Sequence, residues 1–252
     1  MAKRGAPLRM NENIRTGHVF EVLCEVRFAG LSAIPAGAIL PGFLFTQLQL
    51  EGMISKIEAQ PQVAIPLAMR EKDTNLRYLA THRMTGDAGL LVAVGDHSLS
   101  VSVVDAYAGW PDLQTKAKVV FSKALEVGAI GDIERVSVKY LNLFRADLGG
   151  DQSCLINAAF RVGSRTITSE PLTVRTEFKI GSVTTVVQIT AQATLNSTLA
   201  SVTGGTGLVA DLDFIVIKPH SGIEEIMKSL NDAHEIALEF YNDLTAVQGE
   251  AK

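Results

Sequence analysis

Residues 133–147 (IERVSVKYLNLFRAD) combine apolar strand-forming residues with side chains that could bind a ligand or a partner. Arg135 and Lys139 carry positive charge, Tyr140 offers a ring and a hydroxyl, and Asn142 both donates and accepts hydrogen bonds. Polar groups in such a stretch indicate either a structural hydrogen-bond network or a binding site. No catalytic signature accompanies them, so we assign no catalytic residue and interpret the four side chains as candidate binding residues.

Alternation along this predicted strand sends the four side chains to two sides. Tyr140 lies on one side, whereas Arg135 and Lys139 lie on the other. Because the ring and the cations point apart, the pattern does not support a platform on which nucleic-acid bases would stack. We therefore favour the interpretation that Arg135 and Lys139 pair with acidic neighbours on a partly covered sheet face.

The other motifs in the chain lack the spacing that a metal, a nucleotide or a catalytic triad requires. The five histidines show no H-x-x-x-H pattern, and neither cysteine belongs to a C-x-x-C pair. The glycine-rich residues 201–207 precede a predicted strand, whereas a phosphate-binding loop precedes a helix. Residues 95–98 (GDHS) have the composition of a tight turn, and Asp211 and Asp213 fit a solubilised sheet edge better than a catalytic carboxylate pair. We expect no metal and no cofactor.

Composition limits the class of protein. A chain of 252 residues with 47% hydrophobic content can bury a large core, and its net charge of −4 argues against a general nucleic-acid binder. Residues 1–17 are basic and without periodicity, which predicts a partly disordered N-terminal tail. We find neither a signal peptide nor an apolar run long enough to span a membrane, so we expect a cytoplasmic protein. Cys24 and Cys154 lie in strand-like stretches and are predicted to be buried free thiols.

The periodicity along the chain predicts an α+β fold built on antiparallel sheet. Residues 18–252 have no internal linker and form one predicted domain, with two similar halves, 18–130 and 131–246, each closed by an amphipathic helix. The last helix opens with a predicted capping box, Ser221 to Glu224, and its narrow apolar seam fits packing on the sheet. The predicted strands are 18–28, 76–84, 89–95, 98–104, 133–147, 154–162, 172–180, 187–195 and 208–216. The first predicted helix spans about 41–58 with Pro41 in its first turn, the second opens at Trp110-Pro111 and ends at Gly128, and the third begins at 222.

Several segments resemble a family of sporadically distributed bacterial and archaeal proteins of uncharacterised function (the sporadic TIGR family). Its members open with V-E-A-x-x-E-I-R-F, carry G-W before a helix, contain R-I-G-L-R-Y-I-N-R, and close with D-L-D and a helix containing H-x-x-x-x-x-F. The corresponding residues here occur in the same order: Val19 to Phe28, Gly109-Trp110, Arg135 to Leu143, Asp211 to Asp213, and His234 with Phe240.

The resemblance implies a prokaryotic protein in an accessory or mobile genetic context, without an established activity. Within the central motif the family's glycine is Ser137 here, its internal arginine is Lys139, and its last arginine is Leu143. If those arginines bind an anion or a partner, this chain has lost part of that capacity, because lysine lacks the guanidinium fork.

Our leading hypothesis is a non-catalytic interaction or ligand-sensing protein, in a stress, toxin–antitoxin or phage-defence setting that the resemblance implies. It would bind a protein partner, or a second copy of itself, around Arg135, Lys139, Tyr140 and Asn142. Trp110 is either an anchor at the edge of that surface or a core residue at the start of a helix. The alternatives are a small-molecule binder or enzyme with a pocket under a curved sheet and, less favoured, nucleic-acid binding on the sheet face.

Overall fold

The computed structural model describes residues 18–30, 35–197, 199 and 202–246. The predicted basic tail, residues 1–17, lies outside this part of the chain. Nine strands form one antiparallel sheet, and two short strands form a separate hairpin, so the α+β prediction is confirmed. Among the described residues, no helix is long and apolar enough to cross a membrane.

Helices separate runs of consecutive strands along the described chain. The helices are α1 (Ala36–Leu50), α2 (Leu67–Lys72), α3 (Trp110–Glu126) and α4 (Ile223–Thr245), with a 3₁₀ turn at Pro61–Ala64. The strands are β1 (Val19–Gly30), β2 (Lys56–Ala59), β3 (Ala80–Thr85), β4 (Leu90–Gly95), β5 (Ser98–Val104), β6 (Ile130–Arg145), β7 (Phe160–Val162), β8 (Arg165–Ile167), β9 (Leu172–Ile180), β10 (Val183–Leu195) and β11 (Gly205–His220).

The order of the strands gives the sheet a repeated topology about its centre. The order is β2-β3-β4-β5-β1-β6-β11-β10-β9, so β1 and β6 form the central antiparallel pair. β5, the last strand of the first half, lies next to β1, and β11, the last strand of the second half, lies next to β6. The preceding strands of each half follow toward the edges of the sheet. A helix follows β5 and another follows β11. A common origin of the two halves stays a prediction.

The core lies between the sheet and helices α1, α3 and α4, which cover one face. Along β1 and β6 every second side chain enters this core, including the fully buried Val22, Cys24, Val136 and Val138. Apolar alternation explains the arrangement, because a strand with one apolar row must bury it against another layer. We term the opposite face of the nine-stranded sheet, which α1, α3 and α4 do not cover, the helix-free face.

The first predicted helix has the wrong boundaries. The prediction placed it from residue 41 to about 58 with Pro41 in its first turn, but α1 spans Ala36–Leu50 and contains Pro41 as an internal residue. Gly52 takes a φ of +70°, a left-handed conformation that ends helices and favours glycine. The turn at Gly52 therefore ends the helix well before residue 58.

Two further local predictions are wrong. Of the strand predicted at 154–162, only Phe160–Val162 forms, because the backbone NH of Asn157 donates instead to the carbonyl of Leu244 at 2.7 Å. This contact fixes the segment to the end of α4. Cys154 consequently lies in a turn and is exposed, whereas Cys24 is buried as predicted.

The hydrogen-bond partners of the predicted capping box are also wrong. The residue that precedes α4 is Gly222, and the backbone NH of Ser221 donates to the carboxylate of Glu225 at 2.8 Å. Glu224 instead forms an ion pair with Lys118 of α3 at 2.9 Å. Glycine in the cap position thus moves the acidic partner one residue along the helix.

Candidate functional site

Strand β6 divides the predicted binding residues between the two faces of the sheet. Tyr140 and Asn142 point into the helix-covered core and are fully buried. Arg135 and Lys139 point to the helix-free face, where their side chains are 19% and 39% exposed. Trp110, at the start of α3, lies on the helical side and contacts α4. The candidate residues therefore do not share one surface.

On the helical side, a polar and aromatic cluster joins β6, α3 and α4. The hydroxyl of Tyr140 lies 2.7 Å from Nδ1 of His234, and the ring of Trp110 stacks on that histidine with centroids 4.3 Å apart. Asn231, one helical turn before His234, accepts hydrogen bonds from Trp110 Nε1 at 2.8 Å and from Gln114 Nε2 at 2.9 Å. The side chains satisfy one another and fix the two helices to the sheet.

Burial keeps the ionisable groups of this cluster uncharged. The ring of Tyr107 lies 6.2 Å from that of Tyr140 and belongs to the same cluster. Burial lowers the pKa of His234 to about 4 and raises the pKa of Tyr107 to about 12. Burial also raises the pKa of Tyr140 well above its usual range. A general acid or base works best when its pKa lies near the working pH, and none of these three does. The cluster is built as a structural network.

Asn142 is the second predicted binding residue of β6 that lies on the helix-covered face. Its Nδ2 donates to the backbone carbonyl of Ala210 at 3.2 Å, while its Oδ1 is buried without a hydrogen-bond partner among the described residues. An unpaired buried oxygen is costly, by about 1–3 kcal/mol. The residue contacts neighbouring strand backbone and does not reach the surface.

The helix-free face carries ion pairs between neighbouring strands. Arg135 contacts Asp213 of β11 at 2.9 Å, and Lys139 contacts Asp211 at 2.8 Å. Lys139 stands directly opposite Asp213 and pairs with the diagonal neighbour Asp211, whereas Arg135 stands opposite Ile217 and reaches along β11 to Asp213. The sequence-based interpretation that both cations pair with acidic neighbours is therefore confirmed.

A cleft of about 470 Å³ lies on this face, between β1 and β9. Both cations and anions line it, together with amide, hydroxyl and aliphatic side chains. Its lining residues are Arg27, Arg135, Lys139, Arg175, Glu177, Thr184, Val186, Gln188, Asp211, Asp213, Ile215 and Ile217.

Burial on this face affects the carboxylates. Desolvation raises the pKa of Asp213 although Arg135 and Lys139 oppose the rise. Glu21, on β1 of the same sheet, also has a raised pKa because of burial, opposed by a hydrogen bond from Ser102 and by Lys139. Nε of Arg135 and Oδ1 of Asp213 are buried without a hydrogen-bond partner among the described residues. One donor and one acceptor of the same ion pair are thus left unused beside the cleft.

Two other groups of contacts lie on the helix-free face. At one end the guanidinium of Arg27 lies 4.3 Å from the ring centre of Tyr78, whose carbonyl accepts a hydrogen bond from Ser98 at 2.8 Å. At the other end a small apolar cluster forms around Phe20, Leu91, Val104 and Leu143.

The described residues contain no group of three or more His, Cys, Asp or Glu side chains that could hold a metal ion.

Sequence reasoning missed two sets of residues around the predicted ones. It did not connect His234 and Asn231 with Tyr140 and Trp110, since about ninety residues or more separate them along the chain. It also missed Arg175, whose place at the cleft follows from strand order and not from any local motif.

Comparison with known protein-family models, with curated proteins and with solved structures finds no match for this chain. The resemblance to the sporadic prokaryotic family stays a prediction that rests on the sequence motifs. Inferences about binding therefore rest on the geometry of the two faces of β6.

Proposed function

We propose that this chain is a non-catalytic binding protein whose helix-free face receives a segment of a protein partner. The cleft between β1 and β9 is the contact region, and Arg135 and Lys139 are its central residues. The observation that carries the proposal is the open cleft, in which the side chains of Arg135 and Lys139 keep 19% and 39% of their surface exposed. A polypeptide segment offers backbone carbonyls and carboxylates to such cations.

The charge pattern of the cleft supports a partner of mixed charge. Four cations and three anions line it, and three of those cations, Arg27, Arg135 and Lys139, already pair with carboxylates within the chain. A nucleic-acid strand is anionic along its whole length, so the carboxylates of the cleft would repel it. A protein segment with both acidic and basic side chains can complement the two kinds of charge, and this complementarity gives specificity.

The buried charges support recognition more than stability. A partly buried ion pair loses hydration, and replacing such pairs by apolar residues is often neutral or stabilising. The raised pKa of Asp213 means that the loss of hydration outweighs its two cationic neighbours. Charged residues that are kept despite this loss of hydration are suited to a surface that selects its partner.

The setting of the partner comes from the resemblance alone. A sporadic prokaryotic distribution fits stress, toxin–antitoxin or phage-defence systems, in which a binding protein acts on a cognate protein. The family that the sequence resembles has arginine at the position of Lys139. On this proposal Lys139 selects a partner group that needs a single point charge and not the bidentate contact of an arginine.

The proposal is tested by affinity purification from the native host at natural expression. Tagged wild type is compared with an Arg135→Ala/Lys139→Ala variant, which removes the two cations that β6 contributes to the cleft and changes no residue of the helical face. The matched control is Lys118→Ala/Glu224→Ala, which removes an exposed ion pair between α3 and α4. Proteins are identified by mass spectrometry, and the intact mass of the purified chain reports any retained small molecule.

We expect a stoichiometric protein that wild type and the control retain and that the cleft variant loses at least tenfold. Equal retention by all three chains would place the partner elsewhere and contradict the proposal. A retained metabolite in place of a protein would contradict it as well, and would favour the small-molecule alternative.

A further inference from the structure

The nine-stranded sheet ends in two different edges. At one edge β2 has only four residues, a length that limits pairing with another chain. At the other edge β9 has nine residues, Leu172–Ile180, and pairs only with β10 among the described strands. Residues 175–179 are all exposed, so both faces of this edge strand are accessible.

The free edge of β9 presents a regular row of backbone donors and acceptors. The two-residue turn Gly181-Ser182 joins β9 to β10, so Ile180 and Val183 form the hydrogen-bonded pair next to the turn. Hydrogen-bonded and non-bonded pairs alternate in an antiparallel ladder. The backbone NH and carbonyl groups that point outward therefore belong to Thr173, Arg175, Glu177 and Lys179.

We propose that β9 pairs with β9 of a second copy of this chain, in antiparallel register about a two-fold axis at Thr176. The sequence LTVRTEFKI is complementary to itself in this register. Thr176 is the middle residue of β9, so this is the register that overlaps the whole strand. The outward-pointing residues face one another, Arg175 with Glu177 and Thr173 with Lys179, which lets the two strands exchange backbone hydrogen bonds.

Side chains match on both faces of the proposed junction. On the helix-free face, Arg175 meets Glu177 of the second copy, and symmetry makes this contact twice. On the helical face, Val174 meets Phe178 of the second copy. Phe178 is 37% exposed in the single chain and already contacts Phe240 of α4, with ring centres 5.9 Å apart. The junction thus covers an exposed aromatic ring.

The neighbouring registers of the proposed β9–β9 pair place like charges opposite one another. A shift of one pairing step in one direction places Arg175 opposite Arg175 of the second copy. A shift in the other direction places Glu177 opposite Glu177 and Arg175 opposite Lys179. Like charges directly opposite one another destabilise a strand pair. The register that overlaps all nine residues is therefore also the one that pairs opposite charges.

The junction also defines how the two copies present their clefts. A two-fold axis through Thr176 and perpendicular to the sheet keeps both helix-free faces on the same side. Arg175 and Glu177 line the cleft as well as the junction. Two clefts would therefore lie next to each other on one continuous sheet. This self-association does not depend on the proposed function, because the edge pairs with or without a ligand in the cleft.

Light scattering or sedimentation of the full chain tests the inference with three charge variants. Wild type is expected to have twice the single-chain mass of 27.0 kDa. Arg175→Glu and Glu177→Arg each place like charges opposite each other twice, and each is expected to be a monomer. The double variant Arg175→Glu/Glu177→Arg restores opposite charges and is expected to dimerise again. Lys228→Glu, on the exposed side of α4, is the control and stays dimeric.

Mixing the two single variants gives the sharpest result. Arg175→Glu carries two anions and Glu177→Arg carries two cations at the junction, so the mixture is expected to form a heterodimer although neither variant associates alone. Circular dichroism confirms that each variant folds. A monomeric wild type throughout the micromolar range would overturn the inference, as would a dimer that Arg175→Glu leaves intact.

Discussion

On the helical face of β6, Tyr140 and Asn142 are sealed beneath α3 and α4, whereas on the helix-free face Arg135 and Lys139 keep part of their side chains in solvent. The helical face joins neutral groups into a closed network through His234. The other face joins full charges into pairs and carries a cleft. Alternation along a single strand thus separates a row of buried, neutral side chains from a row of charged, partly exposed ones.

The largest effect that separates the two faces is expected from Tyr140→Ala. Removing a large, fully buried aromatic side chain leaves a cavity and breaks the contact with His234, which lowers the free energy of unfolding by about 3–5 kcal/mol. Urea unfolding measures the loss. Tyr140→Phe keeps the ring and removes only the hydroxyl, which contacts Nδ1 of His234 and the side chain of Tyr107, so its loss is smaller, about 1–3 kcal/mol. Equal losses in both variants would show that the hydroxyl, and not the ring, dominates.

Acid is expected to weaken the helical face through His234. Its pKa is about 4 in the folded chain against an ordinary histidine value of 6.5, so between these values the unfolded chain binds more protons. Stability therefore falls as the pH drops from 6.5 to 4, with a slope of at most about 1.4 kcal/mol per pH unit from this group. His234→Gln is expected to reduce the slope measured by urea unfolding over that range. An unchanged slope would contradict the buried, neutral state of the imidazole.

The helix-free face is expected to respond to pH with the opposite sign. The folded pKa of Asp213 lies above the ordinary value of 3.8, so the folded chain binds more protons in the window that opens upward from pH 3.8. This group therefore adds stability at low pH, and the contribution is lost as the pH rises through the folded pKa. Asp213→Asn removes that contribution, and the difference from wild type in unfolding free energy should change across this window. A pH-independent difference would contradict the raised pKa.

The smallest effect on stability is expected from Lys139→Ala. The side chains of the Lys139–Asp211 pair are 39% and 28% exposed, and pairs of that kind contribute about 0–1 kcal/mol. Urea unfolding under the conditions used for Tyr140→Ala measures the change. A loss comparable with that of Tyr140→Ala would mean that the charged face also holds the fold together, and the distinction between the two faces would fail.

The sequence was sufficient for the features that depend on local periodicity. The alternation along 133–147 correctly separated Tyr140 from Lys139, and the apolar rows predicted most strands of the sheet. Trp110-Pro111 and Gly128 correctly bounded α3, because Gly128 takes a φ of +67° just beyond the last helical turn. These signals need only neighbours within a few residues.

Features that depend on distant contacts could not be predicted. The bond that fixes Asn157 to the end of α4 replaced a predicted strand, and no local pattern encodes it. The cleft likewise requires Arg175 and Arg135 to lie on one face through a strand order that places β11 and β10 between them. Side chains of the right types were visible in the sequence, but their proximity follows from topology.

Recognition of a partner through the helix-free face can be tested by site-specific photo-crosslinking in the native host. A photoreactive phenylalanine replaces Gln188, which lines the cleft, or Glu239, on the exposed side of α4. We expect irradiation to yield a covalent adduct of defined mass with another protein from position 188 and none from position 239. Adducts from position 239 alone would contradict recognition through the cleft and assign it to the helical side.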